Sequence, residues 1–421
     1  MAKKKDDVIE KTSFSELDKL IGEEFSELVD ISKVDNDVKN WFDLGNYALN
    51  YACSKRLTGG IPSGRITSFW GLSSTGKSLL MAGVAKDPSV DMVVVLSCEG
   101  GGISKSIFDF IGAPIDKVRY LPVTTFTNYK VSKENGSIEE VTDKDLPAKL
   151  ETDKFIYHKG LISIMKKFIA NIEYKGVKSN IVILLDSIAN IKSVREFSGT
   201  QDMGMKGKNL NDLFSSIDNA IERTNVSFLF SNKVYTNFGN IYDPYKQSGG
   251  ESVIYNPSLS IKLTATQDSE DVSDADLKEE KLRRKSALGS SLKTVRATIS
   301  KSRFGTESRN ATFLIDSCYG ITRNSGLFEM LRDFDIIKKN GSMYTMEGVF
   351  EKAFYKKDFA KLFSENEAKY IPLLQEKLNE AEERIKKERI NINVSDMSEI
   401  AAMQETDDEG DDIVSEMETD L

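Results

Sequence analysis

The sequence predicts an α/β protein whose central sheet is largely parallel and flanked by helices. Apolar runs such as Met92–Leu96 and Ile181–Leu185 lack the alternation of a half-buried strand. Continuous runs of this kind are typical of strands buried on both faces of a parallel sheet. In addition, the glycine-containing residues 71–78 lie between a strand-like run and a helix-like run, which predicts a strand–loop–helix unit.

The composition sets broad limits on the protein. With 421 residues, 39% hydrophobic and 29% charged, the chain can hold one large α/β domain with appendages, or two domains. No apolar run approaches the roughly 20 residues that span a bilayer, and the N-terminus lacks the apolar stretch of a signal peptide. The sequence therefore predicts a cytoplasmic protein. The three cysteines are far apart, which argues against a disulfide framework or a zinc site.

The net charge of −9 is unevenly distributed along the chain. Residues 393–421 contain eleven Asp and Glu residues and no Lys or Arg, so the first 392 residues carry +2. A self-repelling block with so little apolar surface is predicted to be a disordered acidic tail. Its function is either solubilising or regulatory.

Three further regions precede this tail. Residues 1–36 are predicted to form an N-terminal helical oligomerisation segment that packs on its own core or on a neighbouring subunit. Residues 37–330 are predicted to form the α/β core, and residues 331–392 a small C-terminal helical region. The apolar positions of the first segment have helical spacing: Phe14, Leu17, Leu20, Ile21, Phe25 and Leu28.

The core alternates between strand-like and helix-like runs. The predicted strands are Ile66–Trp70, Asp91–Ser97, Ile181–Leu185, Val226–Phe230, Ser258–Thr264 and Val295–Ser300. Two charged stretches resemble insertions. Residues 128–153, which contain the turn signal Asn135-Gly136, predict a surface hairpin, and residues 268–289 predict a solvated helix or loop.

Residues 71–78 read Gly-Leu-Ser-Ser-Thr-Gly-Lys-Ser, a complete G-x-x-x-x-G-K-[ST] pattern. Glycines let backbone N–H groups close around phosphate oxygens, and the following helix directs its positive end at the same anion. In this pattern Lys77 reaches the β- and γ-phosphates and Ser78 offers its hydroxyl to Mg²⁺. The predicted nucleotide-binding positions of the loop are Gly71, Ser74, Thr75, Gly76, Lys77 and Ser78.

Two carboxylates follow predicted strands of the same parallel sheet. Asp186 closes the strand Ile181–Leu185, where phosphate-loop enzymes place an acid near Mg²⁺. Glu99 follows another predicted strand and precedes three glycines. A carboxylate at this edge can orient or deprotonate an attacking water.

Cations follow the last predicted strand of the core. Lys301 and Arg303 have i, i+2 spacing and point the same way on an extended segment. If that edge met the nucleotide of another subunit, the two side chains would stabilise charge on the γ-phosphate.

Two long loops combine glycines with cations or aromatic residues. The first, Ser198–Lys208, contains Met203, Gly204, Lys206 and Lys208. The second, Lys233–Ser252, contains Tyr235, Phe238, Lys246, Gly249 and Gly250. Aromatic residues interleaved with cations suit single-stranded nucleic acid, because bases stack and phosphates pair without sequence reading.

Taken together, these features resemble the RecA family of strand-exchange recombinases, and more closely its phage T4-type, UvsX-like branch. The likeness runs from about Leu44 through Leu331. Its motifs are residues 59–65 and 71–78, Leu185-Asp186-Ser187, Met203-Gly204, Asn232, Phe238-Gly239-Asn240, Gly249-Gly250 and Lys301-Ser302-Arg303.

The resemblance implies a RecA-like DNA-dependent ATPase that binds ATP and Mg²⁺ and polymerises on single-stranded DNA. Lys77 and Ser78 would hold ATP·Mg²⁺, Asp186 would be the metal-side acid, and Glu99 the catalytic carboxylate. Lys301 and Arg303 would reach the ATP site of an adjacent subunit. The first loop and the stretch after Asn232 would bind DNA, including duplex DNA during exchange, and the N-terminal helix would dock on the next subunit.

The chain departs from the family pattern at two positions of the nucleotide site. The nucleotide-sensing residue after Asn232, usually Gln or His, is Lys233, which brings a permanent charge near the γ-phosphate. The aromatic residue expected to stack on adenine aligns with Ile107, beside Phe108.

Two other functions fit the same residues. A hexameric helicase built on this core shares the phosphate loop, the strand-end acids and the trans-acting cations. A nucleotide-gated binding or scaffold protein without hydrolysis would account for Lys233 and the altered adenine contact.

Overall fold

The computed structural model describes residues 37–98, 102–121, 129–132, 138–141, 154–155, 168–191, 205–221, 224–236, 245–266 and 292–388. The chain divides into two compact units, Met1–Val38 and Lys39–Leu421, and every element below belongs to the second. The predicted N-terminal helix, the charged insertion 268–289 and the acidic tail lie outside the described residues.

The strands and helices alternate through the core, as the sequence predicts. In chain order the strands are β1 Trp41–Phe42, β2 Ile61–Pro62, β3 Ile66–Gly71, β4 Met92–Ser97, β5 Val118–Leu121, β6 Tyr129–Ser132, β7 Ile138–Val141, β8 Lys154–Phe155, β9 Ile181–Asp186, β10 Val226–Asn232, β11 Val234–Thr236, β12 Tyr245–Gln247, β13 Leu259–Thr266, β14 Leu292–Ser302, β15 Asn310–Asp316, β16 Gly320–Ile321, β17 Lys338–Asn340 and β18 Met343–Thr345. The α-helices are α1 Tyr47–Ser54, α2 Lys77–Gly83, α3 Lys105–Ile111, α4 within 168–174, α5 Met205–Ile221, α6 Ser252–Tyr255, α7 Leu327–Asp333, α8 Phe359–Glu365 and α9 within 367–388.

Nine strands form the central sheet, in the order β16-β15-β14-β13-β3-β10-β9-β4-β5. Neighbours from β13 to β5 are parallel, and those from β13 to β16 are antiparallel. All six strands predicted for the core belong to this sheet, so the prediction of a largely parallel sheet is confirmed. The last of them, β14, is longer than predicted and runs antiparallel to its neighbours.

Two neighbouring interior strands, β9 and β10, are buried along their whole length. Alternate side chains enter opposite cores, since Leu184 packs with the residues of α2 on one face and Leu185 packs with those of α5 on the other. Burial on both faces explains why β9 reads as a continuous apolar run, and why Val226–Phe230 of β10 is interrupted only by the buried Ser227.

Helix α5 begins earlier than the sequence predicts. The first loop was predicted to extend through Lys208, but the helix already begins at Met205. Its apolar residues have helical spacing and pack on the sheet: Leu210, Leu213, Phe214, Ile217 and Ile221. The prediction missed this start because of Gly207, since the helix propensity of glycine is about 1 kcal/mol less favourable than that of alanine.

The C-terminal region has its own aromatic core. Phe328, Phe354, Phe359 and Phe363 pack there against Tyr47 and Tyr51 of α1. Besides α7, α8 and α9, the region contains the β17–β18 hairpin, which the sequence did not predict. Glu382 of α9 accepts hydrogen bonds from the Tyr51 hydroxyl at 2.6 Å and pairs with the Arg309 guanidinium at 2.7 Å. These contacts attach α9 to the core.

Two smaller predictions also concern local structure. Strands β6 and β7 pair antiparallel, with Ser132 opposite Ile138, as a hairpin around Asn135-Gly136 requires; the turn itself lies outside the described residues. None of the helices in the described part of the chain has both the length and the apolar character needed to cross a bilayer.

Candidate nucleotide site and nucleic-acid interface

Four parallel strands bring polar residues to one edge of the sheet. Strands β3, β4, β9 and β10 end at Gly71, Ser97, Asp186 and Asn232. Ser97 is paired with Asp186 across β4 and β9, and Asn232 with Trp70 across β10 and β3. The phosphate loop and the predicted metal-side acid therefore lie at the same carboxyl edge, where open α/β sheets bind ligands.

The backbone of the phosphate loop requires glycine at both of its glycine positions. Gly71 has φ +145°, and a Cβ there would lie 2.2 Å from the Leu263 carbonyl oxygen. Gly76 has φ +92°, and its Cβ would lie 2.4 Å from Ile315 Cδ1. Ser74 also has a positive φ, of 61°, while the Thr75 hydroxyl donates to the Leu72 carbonyl at 3.0 Å. The result is a tight loop, suited to a cradle of backbone N–H groups for an anion.

Lys77 is the first residue of α2, directly after the loop. Its ammonium donates to the Gly71 carbonyl at 3.0 Å and to the Leu72 carbonyl at 2.6 Å. The cation thus lies across the loop that is predicted to hold phosphate.

Ser78 and Asp186 are in direct contact. The Ser78 hydroxyl donates to Asp186 Oδ2 at 2.8 Å, and the Ser231 hydroxyl donates to Oδ1 of the same carboxylate. Asp186 is buried, with 4% of its surface exposed. The described residues contain no group of three or more His, Cys, Asp or Glu side chains that could enclose a metal. One carboxylate and one hydroxyl fit Mg²⁺, which usually keeps waters and takes further oxygens from phosphates.

The residues after β4 and β9 complete this part of the edge. The Cys98 N–H donates to the Asp186 carbonyl at 2.8 Å. Burial, reinforced by the Asp186 charge, raises the pKa of the Cys98 thiol to about 12, so the thiol is neutral at physiological pH. Ser187 is joined to Asp186 by a cis peptide bond, and its buried hydroxyl has no hydrogen-bond partner among the described residues. Glu99 lies outside the described residues, and its catalytic role stays a prediction.

Asn232 connects the sheet edge to the second predicted DNA loop. Its Nδ2 donates to the Ser248 carbonyl at 2.8 Å and to Gln247 Oε1 at 3.4 Å. The next residue, Lys233, donates from its exposed ammonium to Asn190 Oδ1 at 3.2 Å. Asn190 belongs to the turn that follows Asp186, so the segments after β9 and β10 are held together.

The second predicted loop is framed by the β11–β12 hairpin. Tyr235 and Lys246 are paired across it, and both side chains are exposed. An aromatic ring and a cation therefore lie next to each other, an arrangement that suits stacking on bases and pairing with phosphates; their DNA-binding roles stay predictions. Gly249 and Gly250 follow with φ +105° and +78°. Phe238 lies outside the described residues.

The first predicted loop is described only at its end. Met203 and Gly204 lie outside the described residues, as does the side chain of Lys206. Lys208 is exposed in the first turn of α5. The DNA-binding roles of these residues stay predictions.

The two predicted trans-acting cations, Lys301 and Arg303, lie toward the amino-terminal ends of the parallel strands, opposite the carboxyl edge that carries the phosphate loop. Lys301 is paired with Ser260, which is paired with Ser68 near the start of β3. Lys301 is half-buried and Arg303 is exposed. Burial and the neighbouring Arg303 charge lower the pKa of the Lys301 ammonium.

Neither residue at the position aligned with the family's adenine-stacking aromatic has an exposed side chain. Phe108 is 2% exposed and belongs to the hydrophobic core, and Ile107 packs against that core. Phe108 is therefore not available for stacking on a base.

Ser231 and Gln247 were not predicted as site residues from the sequence. For Ser231 a usable signal was present, because Ser231-Asn232 follows the predicted strand Val226–Phe230 just as Asp186 follows its own strand. Gln247 gave no such signal, since only the folded hairpin brings it to Asn232.

Known proteins that resemble this chain include bacterial RecA proteins. No family model matches the chain. Proteins named RecA match it at 22% identity: that of Corynebacterium efficiens over 79% of this chain and 73% of its own length, that of Paenarthrobacter aurescens over 72% and 73%, and that of Desulforapulum autotrophicum over 80% and 82%. This distant similarity to bacterial RecA proteins extends over most of the chain and, with the nine-stranded α/β core, supports the RecA family.

Proposed function

We propose that the chain is an ATP-dependent recombinase of the RecA type. In this proposal it forms filaments on single-stranded DNA and catalyses homologous pairing and strand exchange in recombination, repair and recombination-dependent replication. The contact between Ser78 and Asp186 carries the proposal, because folding brings together two residues 108 positions apart at the end of a phosphate loop. The similarity to RecA proteins supports a recombinase over the other functions that a phosphate loop can serve.

Nucleotide binding follows from the geometry of the loop. The backbone N–H groups between Gly71 and Ser78 receive phosphate oxygens, and Lys77 exchanges its carbonyl partners for phosphate, which is a charged and stronger acceptor. Ser78 and Asp186 would hold Mg²⁺, which would supply charge neutralisation at the phosphates. Glu99 orients the attacking water from the segment after β4. Lys233 places a fixed positive charge beside the loop, level with Gly71.

A complete site requires a second subunit. Lys301 lies three residues before the level of Gly71 along the strands and two strands away, which is roughly 10 Å in each direction. Lys301 and Arg303 are therefore assigned to the nucleotide of an adjacent subunit, where they stabilise charge on the γ-phosphate. ATP between subunits would hold a filament in its DNA-binding form, and hydrolysis would release it.

The DNA contacts are assigned to the two loops at the carboxyl edge. Tyr235 and Lys246 supply a stacking surface and a phosphate partner on the hairpin, and Lys208 supplies a second cation. We assign the chain to the phage T4-type branch, in the host cytoplasm if phage-encoded, and expect single-strand-binding and mediator proteins as partners.

Lys77→Ala tests the proposal, with Lys86→Ala as the matched control. Lys86 is an exposed cation in the turn after α2, so its loss should leave activity intact. Lys77→Ala should abolish nucleotide-dependent DNA binding, DNA-stimulated ATP hydrolysis and filaments seen by electron microscopy. Strand exchange retained by Lys77→Ala would contradict the assignment.

The same assays separate the rival functions. Unwinding of a forked duplex without pairing of homologous strands would identify a helicase. Intact ATP binding with no DNA-stimulated hydrolysis would identify a nucleotide-gated binding protein.

A further inference from the structure

Residues 247–256, here called the junction segment, run from the last residue of β12 through α6 toward β13. The start of this segment is held by the end of β10. Asn232 donates to Gln247 and to the Ser248 carbonyl, and the Ser248 N–H donates to the Lys233 carbonyl at 3.0 Å. The junction segment is therefore fixed to the carboxyl edge, where the subunit's own nucleotide is proposed to bind.

The middle of the junction segment packs on the first turns of α5. A Cβ on Gly249 would lie 2.8 Å from Leu210 Cδ1, and one on Gly250 would lie 4.0 Å from the Gly207 Cα. The Ser252 hydroxyl also lies 3.4 Å from the Gly207 carbonyl. Because α5 follows the first predicted DNA loop and the hairpin frames the second, this segment touches the supports of both loops.

The end of the junction segment is held by Lys301. The Lys301 ammonium donates to the Ile254 carbonyl at 3.3 Å and to the Tyr255 carbonyl. These carbonyls belong to the last two residues of α6, and the last carbonyls of a helix lack intrahelical partners and favour a cation. The ammonium is thus used within its own subunit.

We propose that Lys301 is a positioning residue for the junction segment and that it leaves the α6 carbonyls when it engages the nucleotide of an adjacent subunit. This inference rests on the proposed function, which places that nucleotide beside Lys301. A phosphate is charged, and hydrogen bonds to it are roughly twice as strong as those to neutral carbonyls. Nucleotide bound by one subunit would therefore release α6 in its neighbour and alter the supports of both predicted DNA loops.

Arg303 provides a contrast within the same strand end. Its backbone N–H donates to the Ser258 carbonyl at 2.9 Å, and its side chain is exposed. The proposal gives Arg303 the same charge-stabilising role toward the adjacent nucleotide, without a hold on α6.

Amide hydrogen exchange of the nucleotide-free protein tests the contact first. Lys301→Met should raise exchange at Ile254, Tyr255 and Asn256 about fivefold, the equivalent of one net hydrogen bond of about 1 kcal/mol. Lys301→Arg should restore most of the protection, and Arg303→Met should leave it unchanged. Unchanged exchange in Lys301→Met, or an equal rise in Arg303→Met, would overturn the positioning role.

The coupling is tested by the affinity for single-stranded DNA with a non-hydrolysable ATP analogue and with ADP. Arg303→Met should lower kcat for ATP hydrolysis yet keep most of the nucleotide-dependent change in DNA affinity, whereas Lys301→Met should lose both. Equal loss of coupling in the two variants would overturn the inference. Full ATP hydrolysis in Arg303→Met would instead contradict the trans assignment in the proposed function, and the exchange comparison still decides the α6 contact.

Discussion

Replacing Gly76 by alanine should distort the phosphate loop in a way that a second substitution partly repairs. An added Cβ would lie 2.4 Å from Ile315 Cδ1, and the next nearest atom, Ile315 Cγ1, is 4.0 Å away. A single terminal methyl group is therefore the obstacle. Ile315→Val removes that methyl and leaves the rest of the side chain in place.

The two costs of Gly76→Ala have different origins. A left-handed φ of +92° costs a residue with a Cβ about 1 to 2 kcal/mol. Overpacking against Ile315 adds about 1 to 3 kcal/mol, whereas Ile315→Val alone costs about 0.5 to 1.5 kcal/mol. In the double variant the new Cβ fills the space of the lost methyl, so only the backbone strain of about 1 to 2 kcal/mol should remain.

Denaturant unfolding followed by tryptophan fluorescence measures these free energies. Trp70 directly precedes the loop and is one of two tryptophans in the chain. The double variant should be more stable than Gly76→Ala. Gly71→Ala is the control, because its Cβ would meet the backbone oxygen of Leu263 and Ile315→Val cannot relieve that contact. Simple addition of the two destabilisations at Gly76 and Ile315 would refute the reasoning.

Three further predictions concern separate parts of the chain. Ser187→Ala removes a buried hydroxyl beside Asp186 that has no hydrogen-bond partner in the described part of the chain, so it should leave stability unchanged or improved yet slow ATP hydrolysis. Thr67→Val removes another such hydroxyl within β3 and should leave hydrolysis intact, and equal rates in both variants would contradict a role for Ser187. Glu382→Gln should lower the free energy of unfolding by about 1.5 to 3 kcal/mol at neutral pH. Burial opposes the charge of Glu382, but hydrogen bonds from Arg309 and other partners outweigh it and lower the pKa of Glu382. The stability difference between the two proteins should therefore be complete above the ordinary pKa near 4.5 and shrink as the pH falls through the lowered pKa, so a difference that persists in acid would argue against a role for the charge. Removing residues 393–421 should tighten DNA binding or weaken its salt dependence, since eleven carboxylates compete with phosphates for cationic loops; unchanged salt titrations would leave the tail a solubiliser.

The sequence predicted the sheet well because burial on both faces leaves a clear trace. Strand β9 is a continuous apolar run that ends in Asp186, and β10 is largely apolar apart from Ser227 and its polar end. Both were located within two residues of their true ends. The start of α5 was misplaced because Gly207 weakens the helical pattern, although α5 packs at that turn against the junction segment. The β17–β18 hairpin was missed because Lys338 and Lys339 carry no apolar alternation, and only pairing with Met343–Thr345 defines these strands.

The candidate site was predicted as a set of residue types, but not as a set of contacts. The loop pattern and the strand-end position were enough to select Ser78 and Asp186. By contrast, the bonds of Ser231 to Asp186 and of Asn232 to the hairpin depend on the order of strands in the sheet. Local sequence patterns carry no information about which strands become neighbours.

The position of Lys301 shows why strand order matters for function. Its spacing with Arg303 suggested two equivalent cations, but β14 runs antiparallel to β13, which carries the pair away from the carboxyl edge of its own sheet. Such cations can act on a nucleotide only if another copy of the chain presents its phosphate loop to them. Within its own subunit, the Lys301 ammonium donates hydrogen bonds to the last two carbonyls of α6. Coupling between two sites requires an element with two alternative positions. In the proposal Lys301 has them, because it can bond the α6 carbonyls within its subunit or a phosphate of the adjacent subunit's nucleotide. Arg303 has no such internal hold in the described structure, so the proposal gives it charge stabilisation at the adjacent nucleotide and no coupling to the predicted DNA loops.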